Sequence, residues 1–280
     1  MTAPAATASS LRRRGDLDVL TWAAFEPFDV DVMVTTRHGG VSAGPCASLN
    51  LGLHVYDAAG DVLENRGRAA AALGTDPGDF VFCRQAHGNN VSVVTADDRG
   101  RGARSEDDAI LDTDALVTRE AGVVLMVMVA DCVPIVLYDP VAHVLGCVHA
   151  GWRGTVARVS EAAVEAMRSL GARPENVIAG LGPAIAPERY QVGAEVAEAA
   201  ERGLGDTASQ VIRPDGTGKW LFDLWGANRL VLHDAGVADD HIAVAAIPTG
   251  SQPGLFFSDR EVRLCGRFAA IARLGARDSG

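Results

Sequence analysis

The chain has 280 residues, 48% hydrophobic and 22% charged, with a formal net charge of −11. That length holds one large domain or two small ones with a substantial core. The acidic balance excludes a broad basic face for nucleic acid or anionic membrane, while leaving room for a small anion held by a few local arginines.

In chain order, the opening MTAPAATASSLRRRGD lacks the apolar run of a secretory signal, and its small, polar and basic residues predict a disordered tail over residues 1–16. A strand over 30–36 leads into the Arg37-His38-Gly39-Gly40 turn. Residues 47–53 form a loop, and a helix over 58–73 ends at Gly74, a left-handed cap. Short strands at 80–83 and 91–95 flank RQAHGNN. The run DDRGRGARSEDD, 97–108, is charged and aperiodic, which predicts a mobile surface loop and a candidate lid.

The stretch AGVVLMVMVADCVPIVLY, 121–138, could pass for a membrane span. Asp131 near its middle would cost about 2.5–3.5 kcal/mol there, and Pro134 interrupts it. Its β-branched content predicts two buried strands instead, at 123–129 and 133–138. Five scattered cysteines (46, 83, 132, 147 and 265) without a Cys-x-x-Cys pair predict unpaired thiols in a reducing compartment, hence a cytoplasmic protein.

Past the Asp139-Pro140 turn come a strand at 143–148 and an amphipathic helix with Val156, Val159, Ala163, Met167 and Leu170 on one face, closed by Gly171. A strand over 177–181, helices over 188–202 and 225–235, a strand over 242–247, a short element at 256–257 and a helix over 265–274 complete the chain. With no repeat, low-complexity tract or long linker, this predicts a single mixed α/β domain over 17–275.

Three polar residues close or interrupt apolar strands beside small neighbours: His87 in QAHG, Cys132 in ADCVP and His149 in VHAGWRG. Two imidazoles and a thiolate make a three-ligand metal set with a fourth position open for water or substrate. Their spacing matches no short zinc motif, so the residues alone leave their convergence open. The same atoms would serve a metal-free hydrolase, with Cys132 as nucleophile, His149 as its base and Asp131 as a candidate orienter. The other histidines, at 38, 54, 143, 233 and 241, are expected at surface or structural positions. Arg37 beside a Gly-Gly turn and Arg153 at a helix start are anion candidates, and Arg260 and Arg267 are further candidates near the C-terminus. Trp152 would either stack a purine or pack on the sheet. HAGWRG lacks the Gly-Lys-Ser/Thr of a P-loop, so triphosphate hydrolysis has no support.

The motifs TTRHGGVS, SLNLG, ENR, QAHG, ADCVPI, HAGWRGT, GPAI, FFSDR and CGRF stand in the order of the laccase-domain, or polyphenol-oxidase-like, family, which the chain resembles from about Val34 to Phe268. ADC followed by HAGWRG is the specific combination. The resemblance implies a single-domain layered α-β sandwich with mixed sheets, similar to the cysteine-hydrolase domain of cytotoxic necrotizing factor toxins. It implies a zinc-dependent purine nucleoside phosphorylase that cleaves adenosine, inosine and methylthioadenosine and deaminates adenosine as a side activity. It carries the metal and catalytic roles onto His87, Cys132 and His149, while Arg37, Arg153, Asn50 and Arg260 are the substrate- or phosphate-binding candidates. Zn²⁺ is the implied cofactor and Cu²⁺ its alternative. Purine nucleosides and phosphate are the implied partners, with no nucleic acid, membrane or obligate protein partner.

The chain departs from the family pattern at Pro248, Asp259, Glu261 and Cys265. Alternatives are a Cys/His hydrolase editing peptidoglycan precursors, a copper-dependent polyphenol oxidase and a non-catalytic metal-binding module. Seven histidines without a His-X-His pair exclude a multicopper cluster.

Overall fold

The structure, a computed structural model, describes residues 9–250 and 254–275. Two six-stranded sheets form its centre. The first contains β1 (Ser9–Arg14), β2 (Leu17–Trp22), β3 (Val30–Thr35), β4 (Phe80–Phe82), β7 (Val124–Val129) and the C-terminal strand Phe268–Leu274, which lies between β3 and β7. The second contains β5 (Val91–Val93), β6 (Ala115–Thr118), β8 (Val133–Asp139), β9 (Val144–Ala150), β10 (Ile178–Leu181) and the strand Ile242–Val244. Both sheets are mixed: β4 runs parallel to β7, β5 to β6 and β10 to Ile242–Val244, while the other pairs are antiparallel.

Side-chain alternation builds the layers. Along β7, Val124, Met126 and Met128 face a cluster that includes Ala69, Ala70 and Leu73 of α1 (Ala59–Leu73), whereas Leu125, Val127 and Val129 face the second sheet. Along β9, Leu145 and Cys147 return that contact between the sheets. Val144, Val148 and Ala150 point the other way, into a cluster shared with α3 (Val159–Ser169), α4 (Ala194–Leu204) and α5 (Leu224–Asp234). The result is an α-β-β-α sandwich. Strands covered on both faces are apolar at every position, which is why 121–138 resembles a membrane span in sequence. Among the described residues, no helix is long and apolar enough to cross a membrane.

Several local expectations change. Residues 265–274 are not helical. The segment FAAIARL has the alanines of a helix former, yet it forms a central strand with Phe268, Ala270 and Ala272 against one layer and Ala269 and Ile271 against the other. Burial on two faces overrides intrinsic propensity. The disordered tail expected over 1–16 does not extend through Ser9–Arg14, which pairs with β2 as an edge strand and salt-bridges Asp31 through Arg14 at 2.7 Å. Residues 1–8 lie outside the described residues.

The helix expected through Val156 and Leu170 is two helices, α2 (Trp152–Val156) and α3, broken where Arg158 takes φ 61°. The helix expected over 188–202 begins only at Ala194, after a turn at Pro187–Arg189 and the short strand Gln191–Val192. The strand expected over 242–247 stops at Val244, and Ala246 has φ 50°. Phe256 and Phe257 are buried without forming a strand.

The charged run 97–108 is held in place. Arg66, 1% exposed, donates from Nη1 to the carbonyls of Gly102 (2.6 Å) and Ala103 (2.8 Å) and from Nε to Leu51 (2.9 Å), with its guanidinium 3.9 Å over Phe82. Burial lowers its pKa to about 10, so it stays charged. Arg66→Met would leave three carbonyls without their donor, an expected loss of about 2–4 kcal/mol, measurable by urea denaturation.

Candidate functional site

β9 ends with its side chains still alternating, so His149 shares the face of Leu145 and Cys147 and sits at the margin of the layer between the sheets. It is 2% exposed. Its Nδ1 donates to Asp114 Oδ1 at 2.8 Å, and its backbone N–H donates to the Asp114 carbonyl at 2.8 Å. Asp114, which immediately precedes β6, is fully buried. Its carboxylate also accepts from the backbone N–H groups of Ala86 (3.2 Å), His87 (2.9 Å) and Gly88 (2.7 Å). One carboxylate thus fixes a histidine ring and the whole turn that carries a second histidine. Burial alone would raise the pKa of Asp114, but the bond and charge of His149 and the Gly88 and His87 amides pull it below the ordinary aspartate range.

His87 follows β4 in the left-handed region, φ 61°, and its ring meets that of His149 edge-on, centroids 4.7 Å apart. Cys132 lies in the turn between β7 and β8, after Asp131 at φ 82°. Two non-glycine residues held at positive φ within one site are the kind of strain that clusters at functional centres. The ligand atoms of His87, Cys132 and His149 all lie within 4.8 Å of one another. Burial works against a Cys132 thiolate, but attraction to His149 and bonds from His149 and His87 outweigh it and bring the thiol down to about 6. The reciprocal attraction raises His149 to about 9 against the opposing effect of burial.

This donor set fits a metal ion. A thiolate and two imidazoles suit zinc or copper alike, and Asp114 leaves the Nε2 lone pair of His149 for the ion. A Cβ on Gly151 would come within 3.0 Å of both Cys132 Sγ and His87 Cδ2, and one on Gly154 within 2.8 Å of the Gly88 carbonyl. The two glycines of HAGWRG therefore let the start of α2 close over the histidine turn. Among the described residues, these three are the one group of His, Cys, Asp or Glu whose donors converge in this way.

The triad opens into a cavity of about 670 Å³, within the roughly 300–1,000 Å³ of small-molecule sites. Arg84, Arg260, Arg263 and Arg267 line it together with Tyr190 and His54. Arg260 lies with its guanidinium 5.3 Å over Tyr190, which stacks on Phe222. Asp131 anchors this wall, accepting from the Thr249 hydroxyl and from the Arg260 backbone N–H at 2.8 Å. It therefore does not orient His149; Asp114 does.

The other anion candidates are elsewhere. Arg37 donates to the Ala47 carbonyl at 2.7 Å, lies over Phe257 and lines a separate cavity of about 320 Å³. Arg153 lies over Trp152 and pairs with Glu195 of α4 at 3.3 Å, and Trp152 packs against the helix-side core. Asn50 is fully buried. Its Oδ1 accepts from the backbone of Gly52 (3.0 Å) and Arg267 (2.8 Å), so it fixes an arginine of the cavity without reaching the cavity itself. Of the departures from the family pattern, Asp259 reaches the cavity and faces Arg267 at 3.7 Å, while Glu261 pairs with Arg189.

Asp114, His54, Arg84, Arg263 and Tyr190 escaped the sequence reading. The signal for Asp114 was an acid placed immediately before the apolar strand ALVT, a position that turns a carboxylate toward the strand ends of its sheet.

Residues 31–275 match the model of a family described as multi-copper polyphenol oxidoreductase laccase. The chain is 39% identical over 254 residues to the purine nucleoside phosphorylase YlmD of Bacillus subtilis strain 168, covering 90% of this chain and 91% of that one. It is 38% identical over 233 residues to adenosine deaminase RL5 of an unknown prokaryotic organism, covering 83% and 89%. The crystal structure of YlmD from Geobacillus stearothermophilus has the same fold, with a TM-score of 0.90 at 37% identity over 96% of this chain and 100% of that chain.

Proposed function

This chain belongs to the multi-copper polyphenol oxidoreductase laccase family, and we propose that it is a metal-dependent purine nucleoside phosphorylase. Adenosine, inosine and methylthioadenosine would be cleaved by phosphate to the free base and the corresponding sugar 1-phosphate, ribose 1-phosphate or its 5-methylthio derivative, with adenosine deamination as a side activity. The carrying observation is the opening of the His87–Cys132–His149 cluster into a cavity that, among the described residues, is lined by four arginines. The phosphorylase and deaminase names of its relatives support the same reading. Five free thiols fit a reducing compartment, the cytoplasm.

Bound Zn²⁺, or Cu²⁺ in its place, supplies a Lewis acid able to polarise an oxygen or acidify water. The chain's own part is positioning. Guanidinium groups match phosphate oxygens in pairs, so Arg84, Arg260, Arg263 and Arg267 bind the nucleophile and orient it. Tyr190 offers an aromatic surface for the base. In phosphorolysis a phosphate oxygen bonds to C1′ while the bond from C1′ to the purine nitrogen breaks, and the purine leaves with that electron pair. Holding phosphate and nucleoside together converts an encounter into a positioned reaction.

The test incubates purified protein of measured metal content with adenosine, with and without phosphate. Adenine released only with phosphate is the expected result, with a smaller phosphate-independent yield of inosine. Adenosine left intact under both conditions would overturn the reading.

One observation favours a second reading. Cys132, His149 and Asp114 stand in the order nucleophile, base and orienter, with the thiol drawn down to about 6. As a hydrolase, the metal-stripped protein would cleave a muropeptide precursor, and cysteine alkylation would block the cleavage. No turnover of either substrate class would leave a metal-binding module.

A further inference from the structure

Among the described residues, three carboxylates line the cavity, and two are committed. Asp131 accepts from Thr249 and Arg260, and Asp259 faces Arg267. The third, Glu106, has a side chain that is 38% exposed and, among the described residues, one close side-chain partner, the ring of His54, Nδ1 at 3.3 Å; Arg66 is near enough to feel its charge. It comes from the charged run 97–108 and is not loosely held. Arg84 donates to its backbone carbonyl at 3.1 Å, and Arg66 grips the same run at Gly102 and Ala103.

Although its side chain is 39% exposed, the surrounding protein desolvates the ring of His54, and this, with the positive charges of Arg267 and Arg66 and smaller effects from His149 and His87, lowers its pKa to about 4. At neutral pH it is therefore an uncharged imidazole whose Nδ1 stands 3.3 Å from Glu106, and the pair lies within electrostatic reach of both histidines of the metal triad.

Arginines only donate hydrogen bonds, so the cationic wall suits phosphate but offers a sugar hydroxyl no acceptor. A carboxylate only accepts, and its two oxygens can take two adjacent O–H groups. We infer that Glu106, braced by His54, is the ribose subsite: it accepts hydrogen bonds from the 2′- and 3′-hydroxyls and restricts the cavity to ribonucleosides over 2′-deoxyribonucleosides. This rests on the phosphorylase reading for the identity of the substrate, but not for the chemistry of the subsite.

The test measures kcat/KM and, by calorimetry, Kd for adenosine and 2′-deoxyadenosine, in the wild-type holoprotein and in Glu106→Gln. A charged hydrogen bond to a hydroxyl discriminates by roughly tenfold to hundredfold. The expected wild-type preference for adenosine is therefore at least tenfold in both quantities, collapsing to about threefold or less in Glu106→Gln. Glu106→Asp, which keeps the charge, should recover part of the preference. Equal wild-type affinity for the two nucleosides, or a preference unchanged in Glu106→Gln, would overturn the subsite, as would binding of neither. If adenosine binds selectively and no phosphorolysis follows, the phosphorylase reading falls and the subsite stands.

Discussion

His149→Ala is expected to lose its metal and at least about 10³-fold of its turnover while remaining folded. His149 is the most buried of the three donors and the one whose orientation the fold controls most closely. Its truncation removes a ligand and also the group that stabilises the Cys132 thiolate, so the thiol rises out of the range in which it is a good ligand. Two donors without the third hold an ion weakly, and the open position no longer lies in a defined geometry. The cost to folding should be modest, because Asp114 keeps its three backbone partners. Metal analysis, circular dichroism and the adenosine assay on one preparation check all three statements. Full metal content with normal turnover would remove the triad from the mechanism.

The readable and unreadable parts of this fold divide by the kind of information they need. Strand alternation and buried β-branched runs are local, so β7, β8 and β9 were legible, as was α1 with its Gly74 cap at φ 68°. The segment from 265 to 274 misled because FAAIARL, small or apolar at six of its seven positions, looks alike as helix or as doubly buried strand; only its place between β3 and β7 decides. His87, Cys132 and His149 stood out because each ends an apolar run beside glycine or alanine, although their convergence needed the family resemblance. The arginines divided differently. Arg37 and Arg153 sit beside motif glycines and attract attention, yet each is occupied by a local partner. Arg84 and Arg263 sit in unremarkable context and reach the cavity because distant segments deliver them there. His54, set among the surface and structural histidines, is exposed as expected, and its place at the cavity is again decided by distant segments.

Asp114→Asn separates a supporting role from a merely structural one. In the native chain each oxygen of Asp114 accepts from two donors: Oδ1 from the His87 amide and the His149 ring, Oδ2 from the amides of Ala86 and Gly88. An asparagine of the same shape has one oxygen and one NH₂, so either orientation sets a donor against two donors. With NH₂ toward Ala86 and Gly88, the turn carrying His87 loosens. With NH₂ toward His149, the ring is driven to carry its proton on Nε2, and the lone pair offered to the metal is lost. Both outcomes weaken the site, and the expected fall in metal affinity is about 10–100-fold. Buried donors left without acceptors add a stability loss of about 2–4 kcal/mol.

The two effects are separable by pH. Because the folded carboxyl titrates below its ordinary value, its contribution to stability is complete above about pH 4 and is lost as pH falls toward the native pKa. Metal-free wild-type protein should therefore lose stability more steeply below pH 4 than Asp114→Asn, in which this group no longer titrates. Denaturant midpoints across pH 3–6, with competitive chelator titrations at pH 7, measure both. Parallel pH profiles would show that Asp114 is not held as a carboxylate, and unchanged metal affinity would show that the triad orients itself without it.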